Sequence, residues 1–182
     1  MLKKKSIISL IATVATVFAL VGITLAYLIA KTGPVTATFA VGEINITLRE
    51  TTGNSYQLVP GKQHTKDPRV TVQGGSEDCW LFVKLSLTTN FYDYVSYSVA
   101  DGWTALDGHK GVYYRSVSRT EEDSTFYVLR DNAVTVNEGL TEEQIGKISV
   151  LPKLTVKAYA VQRYSLDTAE AAWQISMAQD RN

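Results

Sequence analysis

The chain has 182 residues, with 18 Lys and Arg against 18 Asp and Glu, and 45% of it is hydrophobic. A chain of this length can bury a core in a single domain, and its charge balance argues against a nucleic-acid binder, which needs a basic face. The one cysteine, Cys79, excludes an intrachain disulfide, so an exported domain built from this chain must rest on packing alone.

The N-terminus has the three parts of a secretory signal. Lys3, Lys4 and Lys5 form the positive start, Ile7 to Leu25 an uncharged apolar core, and Thr24 and Ala26 put small residues at the −3 and −1 positions of a cleavage before Tyr27. Uncharged residues continue to Ala30, and about 20 apolar residues span a bilayer. The rival reading is therefore an uncleaved anchor with the lysines inside. Both readings place Tyr27 onward outside the cytoplasmic membrane. The three lysines are the only charges before Tyr27, which leaves 15 basic residues against 18 acidic ones in the remainder.

Residues 27–37 contain Gly33-Pro34 and have no clear period, so they read as an extended leader. From Ile44 the chain alternates: Ile44, Ile46 and Leu48 against Asn45 and Thr47, the pattern of a half-buried strand. Turn-rich sequence follows at 50–55, then Tyr56 to Val59, a turn at Pro60-Gly61, and a polar loop from Lys62 to Pro68 that holds His64. Arg69 to Gln73 alternates again. Trp80 to Leu87 is the strongest strand, with Leu81, Val83, Leu85 and Leu87 on one face taken as core. Its other face passes from Trp80 and Phe82 to Lys84 and Ser86. Further strands are expected at 92–99, 112–117, 124–129, 133–136 and 154–161. Thr141 starts one helical turn, and Asp167 to Glu170 has the spacing of a helix start, with Ala169, Ala172, Trp173 and Ser176 on one face. Eight or nine short strands separated by turns predict one all-β domain over 38–182, a sandwich or jelly roll with a short C-terminal helix, preceded by the apolar signal helix.

Several of these pieces together resemble a family. Lys3-Lys4-Lys5, the apolar core and Ala26-Tyr27 look like the signal of substrates of the SipW-type signal peptidase. Thr38-Phe39-Ala40-Val41-Gly42 followed by Ile44, Ile46 and Leu48 resembles the start of the mature domain in the TasA/CalY (camelysin) family. Leu58-Val59-Pro60-Gly61 and then Thr65-Lys66-Asp67 resemble that family's Leu-x-Pro-Gly segment. The late alternating run from Leu154 to Val161 is similar in character. The likeness covers roughly the first 75 residues and is only general beyond them. Tyr27-Leu28-Ile29-Ala30 departs from the family's more usual Phe and Asn or Asp after the signal.

The resemblance implies a secreted jelly-roll protein of Gram-positive bacteria, at the cell surface or in the biofilm matrix, that builds fibres. In such fibres an N-terminal segment of one subunit completes the sheet of the next, because an open sheet edge carries unpaired N–H and C=O groups. Here the donor would lie within Tyr27 to Val41, with Val35, Thr36, Ala37, Thr38, Phe39, Ala40 and Val41 as its β-forming part. The expected partner is another copy of the chain. Membrane contact would come only through the signal segment. The alternative is a monomeric, membrane-anchored surface binding module.

The camelysin branch also carries a metallopeptidase label. His64 and His109 are the only histidines, neither belongs to a His-Glu-x-x-His pattern, and two helical histidines with a glutamate between them are what a zinc peptidase usually needs. His64 with Asp67, or His109 with Asp107, offers at most a weak metal pair. No Gly-x-Ser-x-Gly elbow is present, and Cys79 reads as a small buried hydrophobe. Leu151 to Thr155 lacks the final glycine and hydrophobic tail of a sortase signal. No catalytic residues, metal or cofactor are expected. Tyrosines at 92, 94, 97, 113, 114, 127, 159 and 164 read as packing residues, with a carbohydrate or protein contact face as the rival role.

Overall fold

The computed structural model describes residues 29–32, 44–52, 56–164 and 166–179. In chain order the strands are β1 (Ile29–Thr32), β2 (Ile46–Arg49), β3 (Gln63–Thr65), β4 (Arg69–Val72), β5 (Cys79–Leu87), β6 (Val95–Ser96), β7 (Thr104–Ala105), β8 (Val112–Val117), β9 (Ser124–Tyr127), β10 (Ala133–Val136) and β11 (Leu154–Gln162). The helices are α1 (Phe91–Tyr94), α2 (Glu142–Gly146) and α3 (Ala169–Gln179). The fold is all-β: every pairing between these strands is antiparallel, in one sheet of five strands ordered β1-β11-β5-β8-β7 and two of three, β3-β10-β6 and β2-β4-β9.

Alternation along β5 and β11 makes the layers. Leu81, Val83, Ala158 and Ala160 point to one side and meet Ile46, Val70 and Val134 from the smaller sheets, with Ile44 and Val128 just outside those strands, in the main core. Trp80, Phe82, Tyr159 and Val161 point to the other side, where Ala169, Ala172 and Trp173 of α3 cover them. Trp173 packs 5.3 Å from Phe82 and 5.5 Å from Tyr159, edge-on to the latter. That explains the change of character along the outer face of β5: the helix covers the aromatic end and leaves the other to Lys84 and Ser86. Lys84 stands directly opposite Lys157 across the β5–β11 pair.

Several expectations need correction. Eleven strands occur among the described residues: β1 lies in the expected leader, and β3 and β7 are too short to show a period. Residues 92–99 do not form one strand. Phe91–Tyr94 is a helical turn and only Val95–Ser96 is extended; the buried pair is Phe91 and Val95, spaced four apart as on a helix. His64 lies on β3, not in a loop. The α3 start is capped by Thr168, whose hydroxyl accepts from the Ala171 amide at 3.2 Å, rather than by Asp167. The cap at Thr141 forms as expected, with Gln144 completing a capping box.

β11 lies beside β1 along only part of its length. Ile29 pairs with Val161 and Thr32 with Ala158, so a piece of the expected leader is a strand on the five-stranded sheet. The signal residues Thr24, Ala26 and Tyr27 and the donor residues Val35 to Val41 lie outside the described residues. Among the described residues no helix is long and apolar enough to cross a membrane.

Candidate functional site

β5 pairs with β11 from Leu154 to Gln162 on one side. On the other side β1 reaches only Ala158 to Val161. Among the described residues, Leu154 to Lys157 have no strand beside them on that edge. Leu154 and Val156 of this stretch turn inward against the main core.

A cleft of about 470 Å³ adjoins β11 at Leu154. Leu58, Phe91, Val95, Val136 and Leu154 form its apolar lining, and His64, Lys66 and Lys153 also border it. Leu151 lies on the lining with 72% of its surface exposed, and the preceding Val150 is 56% exposed. The α1 wall is pinned from both ends: Asn90 donates to the Val150 carbonyl at 2.7 Å and Asn137 donates to the carbonyls of Tyr92 and Asp93 at 2.9 and 3.1 Å.

The chain around the lining residues Leu58, His64 and Lys66 is shaped by the Pro60-Gly61 turn and by Asp67. The Lys62 amide donates to the Val59 carbonyl at 3.0 Å, and Gly61 takes φ +73°, the turn type that wants proline followed by glycine. Asp67 is 7% exposed. It accepts from the Thr51 and Thr52 amides at 2.9 and 3.0 Å and from both threonine hydroxyls, and pairs with Arg69 at 2.7 Å. Burial alone would raise its pKa, but the hydrogen bonds from Thr51 and Thr52 outweigh that and hold the carboxyl far below the usual carboxylate range. Next to it, Lys66 is nearly buried and pairs with Glu50 at 2.7 Å. The carboxylate thus ties the loop after β2 to the loop before β4. His64 Nε2 donates to the Gln57 carbonyl at 2.8 Å, which holds its ring against Tyr56 at 5.2 Å.

The pairings of His64 with Asp67 and of His109 with Asp107, weighed in the sequence only as weak metal pairs, are not seen. Asp67 is engaged with threonines and Arg69, and His64 with a carbonyl. His109 approaches Glu170 of α3 at 3.0 Å rather than Asp107. Among the described residues, no three of His, Cys, Asp and Glu gather in a group able to hold a metal. Cys79 is wholly buried, and burial followed by the charge of Asp78 pushes its thiol up to about 12.

The sequence reading missed two aromatic groupings. Arg115 faces the core side of β8, with its guanidinium 3.9 Å from the Phe126 ring centroid and 5.3 Å from that of Trp103. Its Nε is buried without a hydrogen-bond partner, and burial lowers its pKa. Tyr92 and Tyr97 lie together, their rings inclined by 19° and their centroids 6.1 Å apart. Abundant tyrosine was visible in the sequence; that these two meet depends on the helical turn at 91–94. Comparison with protein-family models, with curated proteins and with solved structures finds no match.

Proposed function

We propose that the chain is a secreted or cell-surface structural protein of the TasA/CalY kind, a jelly-roll subunit of biofilm matrix fibres that joins its copies by strand addition at the β11 edge. The observation that carries this reading is that, among the described residues, Leu154 to Lys157 have no strand beside them on the β1 side, next to an apolar cleft. Main-chain hydrogen bonds supply affinity in such additions, and pockets for alternate side chains supply register. The segment Val35 to Val41 suits the donor role: it is rich in β formers and carries Phe39, whose burial is worth about 1.5–3 kcal/mol. Each hydrogen bond adds roughly 0.5–1.5 kcal/mol net, against an ordering cost of about 1–2 kcal/mol per residue. With terms this close, polymer should form only at high concentration or from a seed. No catalytic role is proposed.

Deleting Tyr27 to Thr36 from the form cleaved before Tyr27 tests the reading, with polymer followed by light scattering. The deleted form should stay monomeric while the undeleted form grows. Equal growth of both, or growth of neither at high concentration, would sink the idea. One observation favours the second reading, a monomeric surface module held by its apolar N-terminus. Ile29 to Thr32 fill part of the β11 edge within their own chain, so a chain that keeps its N-terminus at the membrane can satisfy that part of the edge alone.

A further inference from the structure

We propose that Tyr92 and Tyr97 form a site of oxidative phenol coupling, in which a carbon–carbon bond between the two rings covalently closes the corner from α1 into β6.

Four features of the pair suit it to that reaction. The Tyr92 hydroxyl donates to the Tyr97 oxygen at 3.4 Å, so the carbons flanking the two oxygens lie near one another. The rings are inclined by only 19°, nearly parallel rather than crossed. Phe91 packs edge-on to both, 5.5 Å from Tyr92 and 5.8 Å from Tyr97, which holds them in register with each other. Tyr92 is 56% exposed, so a soluble oxidant reaches one ring while the other is half-buried behind it. Neither sulfur among the described residues competes: Cys79 is sealed in the main core and Met177 packs beside the α3 layer.

The chemistry balances with hydrogen peroxide as the two-electron oxidant and a peroxidase to deliver it in single steps. Each phenol gives up one electron, and its proton goes to water. The two phenoxyl rings join through the carbons beside their oxygens. Each joined carbon then loses its hydrogen as a proton, and each oxygen regains one, restoring both aromatic rings. In sum two hydrogens leave the protein and peroxide becomes two waters. Burial and the neighbouring Tyr92 raise the pKa of Tyr97, so that ring starts as the neutral phenol.

The consequence is local. Tyr92 and Tyr97 flank Phe91 and Val95, two lining residues of the cleft, so the bond would fix one wall of it. The inference stands apart from fibre assembly and survives if the chain proves monomeric.

The test treats the dilute full chain with peroxidase and hydrogen peroxide and then separates monomer from multimers. The expected result is dityrosine fluorescence in the monomer, a mass lower by two hydrogens, and a cross-link mapped between Tyr92 and Tyr97. Tyr97→Phe and the surface change Tyr92→Phe should each abolish monomer fluorescence, while Tyr127→Phe leaves it intact. Three results would overturn the proposal: no coupling in the wild type, a monomer cross-link that maps to Tyr113, or fluorescence confined to multimers joined through Tyr92, Tyr127 or Tyr164.

Discussion

Replacing Asp67 with asparagine keeps the shape of the side chain but removes the charge that two amides, two hydroxyls and Arg69 converge on. One carboxamide NH2 would then face donors, and Arg69 would lose its partner. Breaking a buried pair from one side costs about 3–5 kcal/mol, and urea unfolding of Asp67→Asn should show a loss of that order. The sign of the pH effect follows from the lowered pKa. Unfolded, the carboxyl titrates near about 3.9; folded, it titrates well below that. Its contribution is therefore complete above about pH 5 and drains away as pH falls through the unfolded value toward the folded one. A stability profile from neutral to acid pH should be steeper for the wild type than for Asp67→Asn; parallel profiles would contradict it. The sequence showed Asp67 only as part of a Thr-Lys-Asp segment and as a weak metal pair with His64. Its partners Thr51 and Thr52 lie 15 or 16 positions away, and no local pattern announces a contact set by two loops meeting.

Elements were legible in proportion to their length and to how cleanly one face is buried. The strands β5 and β11, nine residues each, alternate plainly, and their core faces follow from that alternation. The helix α3 was legible for the same reason at the other period, since Ala169, Ala172, Trp173 and Ser176 are all buried. Short pieces were not. Tyr92, Tyr94 and Tyr97 suggested alternation, yet the burial of Phe91 and Val95 decides the local conformation, and tertiary packing outranks β preference there. Between Arg130 and Ala133 the chain turns through Asp131 and Asn132 at φ 55° and 51°, a backbone region that Asp and Asn tolerate best among residues with a side chain. Helix α3 also carries the element-scale prediction. Trp173 is 2% exposed and joins Phe82 and Tyr159. Trp173→Ala should cost about 3–5 kcal/mol, measured by denaturant midpoint. A loss below about 1 kcal/mol would mean that the helix is not fixed to the sheet through this ring.

For the whole molecule, the sequence announced an all-β chain with a helix at its end, and the antiparallel sheets have that character. It did not announce that Ile29 to Thr32 pair with β11, because the leader carries no period that would show it. One further feature acts on stability as a whole. Lys84 and Lys157 sit side by side in the middle of the five-stranded sheet, and among the described residues neither has an ion-pair partner. Like charges directly opposite in a sheet repel by amounts comparable to the roughly 0.2–1 kcal/mol of an attractive pair. Dissolved ions shorten the reach of that repulsion, to about 10 Å at 0.1 M and about 3 Å at 1 M. Lys157→Glu should thus have a higher urea midpoint than the wild type at low salt, and the gap should narrow as sodium chloride is added. The middle of the sheet gives up a little stability that one reversed charge would return.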